Sequence, residues 1–192
     1  MGIIQSSGVK KKIIIDHLLK SKLVRKLINP TPNDLLDETE ILLGGEWLID
    51  GEKVEAQGHI FDFNFVDDTI TDSKVFIFVE TDIPIVEHGN MFAEFNLYVS
   101  IFADKDLIRL SQLSIPTKQE MKALGYEGNR IDILCGVIDE LLNGVSVNGV
   151  GNLQPATMGY MKMYQPNRQY YGKVLTYKVK SYNDGGDRCD LR

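Results

Sequence analysis

The stretch VFIFVETDIPIVEHGNMFAEFNLYVSIFAD, residues 75 to 104, constrains this chain more than any other segment. Apolar side chains recur at every second position in two runs. A period of two belongs to extended backbone, whose side chains point alternately to opposite faces of a sheet. In the second run Phe95, Leu97, Val99 and Ile101 fall on one face, and Asn96, Tyr98, Ser100 and Phe102 on the other. The first face is expected to be fully buried and the second partly so. A domain built on such a sheet needs amphipathic elements to cover its apolar side.

Two segments supply them. From Val9 to Ile28, Ile14, Ile15, Leu18, Leu19, Leu23, Leu27 and Ile28 recur at spacings of three and four, which predicts one helix with a single buried stripe. Asn29-Pro30 stops it, because the residue before proline is pushed away from helical angles. NRIDILCGVIDELLNG predicts a second helix, capped by Asn129, with Ile131, Leu134, Cys135, Ile138, Leu141 and Leu142 as its stripe and Gly144 just past its end.

Between them, HIFDFNFVDD sends Phe61, Phe63 and Phe65 one way if extended, and KDLIRLSQ predicts a short helical stretch. IPTKQEMKALGYEGN is broken by Pro116, Gly125 and Gly128, and VSVNGVGNLQPA reads as a loop. TMGYMKMYQP and GKVLTYKVKSY close the domain as strands. The expected fold is α+β: a mainly antiparallel sheet with an N-terminal helix and a second helix packed on one face. Four segments follow: a basic helix or arm at 1–29, an extended loop or hairpin at 30–58 with Asp50-Gly51 as its turn signal, an α+β core at 59–182, and a flexible tail at 183–192.

At 192 residues the chain is long enough to bury one real core, and 43% hydrophobic against 25% charged residues argues against wholesale disorder. The net charge of −6 is unevenly spread. Between Lys10 and Ile28 seven basic residues face Asp16 alone, whereas from Asp34 to Asp82 fourteen acids face Lys53 and Lys74. An acidic body disfavours broad phosphate binding, so contact with nucleic acid is expected to be local or repulsive. No run approaches the length of about 20 apolar residues that a membrane helix needs, and the N-terminus lacks the order of a secretory signal. MGIIQSS fits the loose myristoylation pattern through Gly2 and Ser6, a short string that many proteins match by chance.

Catalytic signatures are weak. Cys135 and Cys189 lie far apart, one in an apolar helical stripe, which excludes a disulfide framework and points to a reducing compartment. His17, His59 and His88 have no metal-ligand spacing. Nothing calls for a cofactor. A nuclease that holds Mg²⁺ between strand-borne carboxylates would need an acid on one strand and an acid-x-Lys pair on the next. Glu80 and Asp82 end one run and Asp104-Lys105 ends the other, but the acid-x-Lys here, Asp72-Ser73-Lys74, precedes its strand. NGVGN follows a helix instead of opening one, so its glycines face no helix N-terminus that could bind phosphate.

The string from His59 to Ile108, with YEGNRIDILCGVIDELLNG and QPNRQYYGKVLTYKVKSY, resembles small neck-module proteins of tailed bacteriophages, the head-to-tail connector and tail-terminator proteins. The resemblance covers residues 59 to 182. It implies a non-enzymatic virion structural protein assembled in the host cytoplasm: a subunit of a homo-oligomeric ring, of six or twelve copies, that joins portal and tail proteins and passes double-stranded DNA. Ring contacts are heterologous, so the basic helix and acidic middle are candidate complementary faces. On that reading Lys20, Arg25, Lys26, Glu80, Asp82, Asp104, Tyr170 and Tyr171 are interface candidates, and no residue is assigned to catalysis, cofactor or metal. The alternatives are a metal-dependent nuclease and a non-ring interaction module of similar fold.

Overall fold

The computed structural model describes residues 3–29, 45–49, 52–56, 58–62, 74–86, 92–110, 113, 115–165 and 168–182. The N-terminal segment forms two helices, α1 (Ile3–Leu19) and α2 (Lys22–Ile28). Ile14, Ile15, Leu18, Leu19, Leu27 and Ile28 are buried as their spacing requires, whereas Leu23 is half-buried and Val24 takes the inward place in α2. The single helix expected over Val9–Ile28 is corrected at one point: Ser21 is extended and its hydroxyl accepts from Val24 N at 3.4 Å, so it ends one helix and caps the next. Asn29 is extended, as a residue before proline must be.

Strands β1 (Gly45–Ile49) and β2 (Glu52–Ala56) make a separate two-stranded antiparallel sheet with Ile49 opposite Glu52, while the turn signal Asp50-Gly51 lies outside the described residues. The main sheet begins with β3 (Ile60–Phe61), β4 (Val75–Val86) and β5 (Phe92–Asp104). A 3-10 turn at Lys105–Leu107 follows, then α3 (Ile115–Ala123) and α4 (Arg130–Leu142). The chain closes with β6 (Ser146–Val147), β7 (Gly151–Pro155), β8 (Met161–Tyr164) and β9 (Tyr170–Tyr182). Strand order is β3-β4-β5-β9-β7-β6, with β8 also paired to β9. β3 runs parallel to β4 and the other pairs are antiparallel, so the sheet is mixed.

Two expectations change. Residues 145–156, expected as a loop, carry β6 and β7, because Leu153 pairs with Val179 far along the chain. IPTKQEM is helical, with Pro116 in its first turn, where a missing N–H costs nothing. Phe63, Phe65, Asp72-Ser73, Glu87, His88 and the tail 183–192 lie outside the described residues.

One sheet face is the core. Val75, Ile77 and Val79 of β4, Phe95, Leu97, Val99 and Ile101 of β5, and Leu175, Tyr177 and Val179 of β9 are buried there with α1, α2 and α4. Asn129 caps α4 as the sequence predicts: its Oδ1 accepts from Ile131 N at 2.9 Å and Asp132 N at 3.1 Å, and Asp132 answers at Asn129 N. Gly144 follows with φ +70°. α1 bridges β4 and the β6–β7 turn. Ser7 bonds Thr81 at 2.5 Å, while Lys10 Nζ donates to Val150 O at 3.2 Å and lies over the Phe95 ring.

Candidate functional site

The second sheet face divides along the strands. At one end Phe76, Phe78, Phe102 and Tyr170 are buried together, with Phe61 packed on them and the Tyr164 ring 5.5 Å from that of Phe102. Phe61 stacks on Phe78 at 5.2 Å. His59 closes the cluster near Phe76, its Nδ1 paired with Val75 O at 2.7 Å; burial holds its pKa below the usual histidine value. At the other end the same face turns polar. Tyr98 donates to Asp82 at 2.9 Å, and Lys178 pairs with Glu94 at 2.9 Å. The phenol of Tyr98 is pushed up, first by desolvation and then by Asp82.

The interface candidates separate on this frame. Asp104 is buried: Oδ1 accepts from Asp106 N at 2.8 Å and Oδ2 from Gln169 Nε2 at 2.9 Å, so it caps the 3-10 turn and ties it to the start of β9. Tyr170 belongs to the aromatic cluster. Both face inward in the single chain. Glu80 accepts from Lys11 Nζ and from Thr81 N, each at 2.9 Å, closing the margin of β4 beyond the end of β3. Lys26 pairs with Glu120 of α3 at 2.5 Å. Asp82 and Lys20 are exposed, and Arg25 and Tyr171 are half-buried. The basic helix therefore spends Lys10, Lys11 and Lys26 within its own chain.

A polar seam joins α4 to β9. Asp132, Cys135 and Asp139 lie on one stripe of the helix, by spacings of three and four. Lys173 donates to Asp132 at 2.6 Å and Tyr177 OH to Asp139 at 3.1 Å. The hydrogen bond from Lys173 to Asp132 raises the lysine pKa, and burial raises those of Tyr177 and Cys135, the thiol to about 12. A thiol so placed is an inert small hydrophobe. Arg130, in the first turn of α4, is 0% exposed. Its Nη1 donates to Asn29 O at 3.4 Å, while Nε and Nη2 find no acceptor, and desolvation lowers its pKa to about 10.

Sequence reasoning missed the margin at β8. Met158 is 88% exposed, Met161 51%, Met163 72% and Tyr164 47%, so this short segment concentrates large apolar side chains in solvent. Among the described residues β8 pairs with β9 on one side and with no strand on the other. The sequence signal was present, three methionines and two tyrosines within seven residues. Among the described residues no group of three or more His, Cys, Asp or Glu side chains is arranged to hold a metal ion. Nor is any helix among them long and apolar enough to cross a membrane.

Fold and surface together define an α+β protein in which carboxylates such as Asp104, Asp132 and Asp139 are spent on its own architecture and in which several large exposed apolar side chains cluster on one sheet margin. Residues 20–179 match the YomW family model, and the chain belongs to the YomW family, which is phage-derived. No curated protein and no solved structure matches the chain. Phage descent, expected from the sequence, therefore stands at the level of the family.

Proposed function

We propose that the protein is a non-enzymatic structural component of a phage particle, a ring-forming subunit of the neck between portal and tail through which DNA passes. The observation that carries the non-enzymatic part is the fate of the carboxylates within β4 and at the end of β5. Glu80 is held by Lys11 and a strand N–H, and Asp104 by Asp106 N and Gln169, so both are engaged within the chain, Asp104 buried and Glu80 half-buried. Phage descent of the family supports the virion role, and the element order of helix, sheet, crossing helix and closing strands supports the connector role.

Mass photometry and negative-stain imaging of the purified chain, alone and mixed with portal and tail components, test this. Closed rings are expected. A chain that remains monomeric with every component refutes the ring and leaves an interaction module. Divalent-dependent DNA cleavage that disappears in Glu80→Ala/Asp104→Ala refutes the structural reading altogether.

A further inference from the structure

From the margin of β8 that no described strand covers we infer that the protein pairs with a second copy of itself, strand β8 against strand β8, through a two-fold antiparallel contact centred on Met163. This contact is isologous and closes on itself, so it is distinct from the heterologous contact of a ring and does not rest on it.

Four observations lead there. First, Thr176 N donates to Tyr160 O at 2.8 Å, which fixes the parity of the strand. Even-numbered residues of β8 bond to β9, so the N–H and C=O of Met161 and Met163 point outward. A margin with unpaired backbone groups is a template for another strand. Second, natural margins are commonly guarded by a lysine, but Lys162 is laid back over Gly159, close enough that a Cβ there would meet its Cε at 2.3 Å. Third, Met158, Met161 and Met163 expose flexible apolar side chains suited to a mate of the same composition.

The fourth observation selects the register. Outward-pointing residues must meet outward-pointing residues; Met161 against Met161 would set Met163 opposite Gly159, whose φ of +68° is not extended, and two arrangements engage Met163 with a methionine of the other copy. Pairing Met161 with Met163 of the other copy sets Lys162 directly against Lys162, a like-charge pair on one face. Pairing Met163 with Met163 instead sets Lys162 beside the Tyr164 ring of the other copy, twice over, and extends the ladder to Met161 and Gln165. Such a cation beside an aromatic face is attractive, and the ladder holds roughly six backbone hydrogen bonds. The second register is the one proposed.

The test uses the full chain. Sedimentation or mass photometry over a concentration series should show a monomer–dimer equilibrium. Met163→Pro removes an outward N–H without touching the bonds to β9, so it should raise the dimer dissociation constant at least about tenfold, with an unchanged unfolding midpoint. A register test covers the case in which that variant folds poorly. In a Cys189→Ser background, Met163→Cys should give a disulfide-linked dimer on mild oxidation, since paired Cα atoms there lie about 5.5 Å apart. Lys162→Cys should not.

A chain that stays monomeric up to about 1 mM overturns the proposal. So does a dimer indifferent to Met163→Pro, or cross-linking through position 162 in place of 163. A ring that forms while the concentration series and Met163→Cys show no β8 pairing would keep the neck reading and remove the β8 contact. A dimer lost with that substitution keeps the contact whatever becomes of the ring.

Discussion

Replacing Gly172 by alanine and Gly8 by alanine should move stability in opposite directions, and the structure sets both magnitudes. Gly172 lies in β9 directly opposite Phe102 of β5. A Cβ there would stand 2.2 Å from Ile101 O and 2.3 Å from Phe102 Cδ1, where real Cβ contacts essentially never fall below 3.0 Å. The ring can rotate, but the backbone oxygen cannot leave without the strands separating by roughly 0.8 Å, enough to carry neighbouring ladder bonds of about 2.9 Å out of range. Two weakened bonds and one displaced ring cost about 2–4 kcal/mol, which for a chain of this size lowers the melting temperature by about 4–16 °C. Gly8, by contrast, is exposed on α1 with nothing within 4 Å of its added Cβ. Alanine there should add about 0.5–1 kcal/mol by restricting the unfolded chain. Thermal and denaturant unfolding of both variants, with Gly172→Ala/Phe102→Leu as a third, checks the reasoning. A Gly172→Ala protein that melts with the wild type, or one fully rescued by Phe102→Leu, would refute it, because the backbone contact should persist when the ring has gone.

Further outcomes are expected from the inward-facing polar groups. Asp104→Ala should cost about 1–3 kcal/mol, because Asp106 N and the Gln169 amide lose their acceptor, whereas exposed Asp82→Ala should change the denaturant midpoint by less than about 0.5 kcal/mol. On the alkaline side, Tyr177 and Cys135 are pushed above their ordinary values near 10 and 9, so the folded state binds more protons than the unfolded one. Their stabilisation is complete below about pH 9 and is lost as pH climbs beyond it. Equilibrium unfolding at pH 8 and pH 10.5 should show the loss, and Tyr177→Phe should reduce its pH dependence. Arg130→Met should match or exceed the wild type in chemical denaturation, since a buried guanidinium with two unpaired nitrogens is replaced by an apolar chain of similar length, whereas Arg130→Ala, which leaves a hole, should cost about 2–4 kcal/mol.

Legibility in the sequence followed the locality of each cause. α4 could be read end to end because Asn129 and Gly144 mark its limits within the segment itself. β5 could be read because period two survives over its whole length. The break at Ser21 could not, since Leu19, Leu23 and Leu27 continue a helical stripe across it and the serine's capping bond is visible only once the turn exists. β7 was hidden for a different reason: its strand character comes from Val179, and glycine-rich neighbours say nothing of that. Among the interface candidates, Asp104 ends its run in the sequence and Tyr170 precedes the expected closing strand GKVLTYKVKSY, and packing by Phe76 and Phe102 removes Tyr170 from solvent. Arg130 follows an N-cap, where water is the ordinary surrounding of an arginine, so no local pattern announced its burial. The methionines of β8 were plain in the sequence; their exposure depends on β8 having a neighbour on one side among the described residues.

The bond from Lys10 to Val150 spans 140 positions, which gives the N-terminal helix an awkward early life. It leaves the ribosome well before the β6–β7 turn that receives one side of it, while β4, its other neighbour, follows sooner. At roughly 5–20 residues per second the wait for that turn is about 7 to 28 s, with the stripe of Ile14, Leu18 and Leu27 only partly covered until then. A nascent chain of this design needs its oily segment shielded until synthesis has passed the β6–β7 turn, and truncation short of Val150 should yield an insoluble product, however well each helix forms alone.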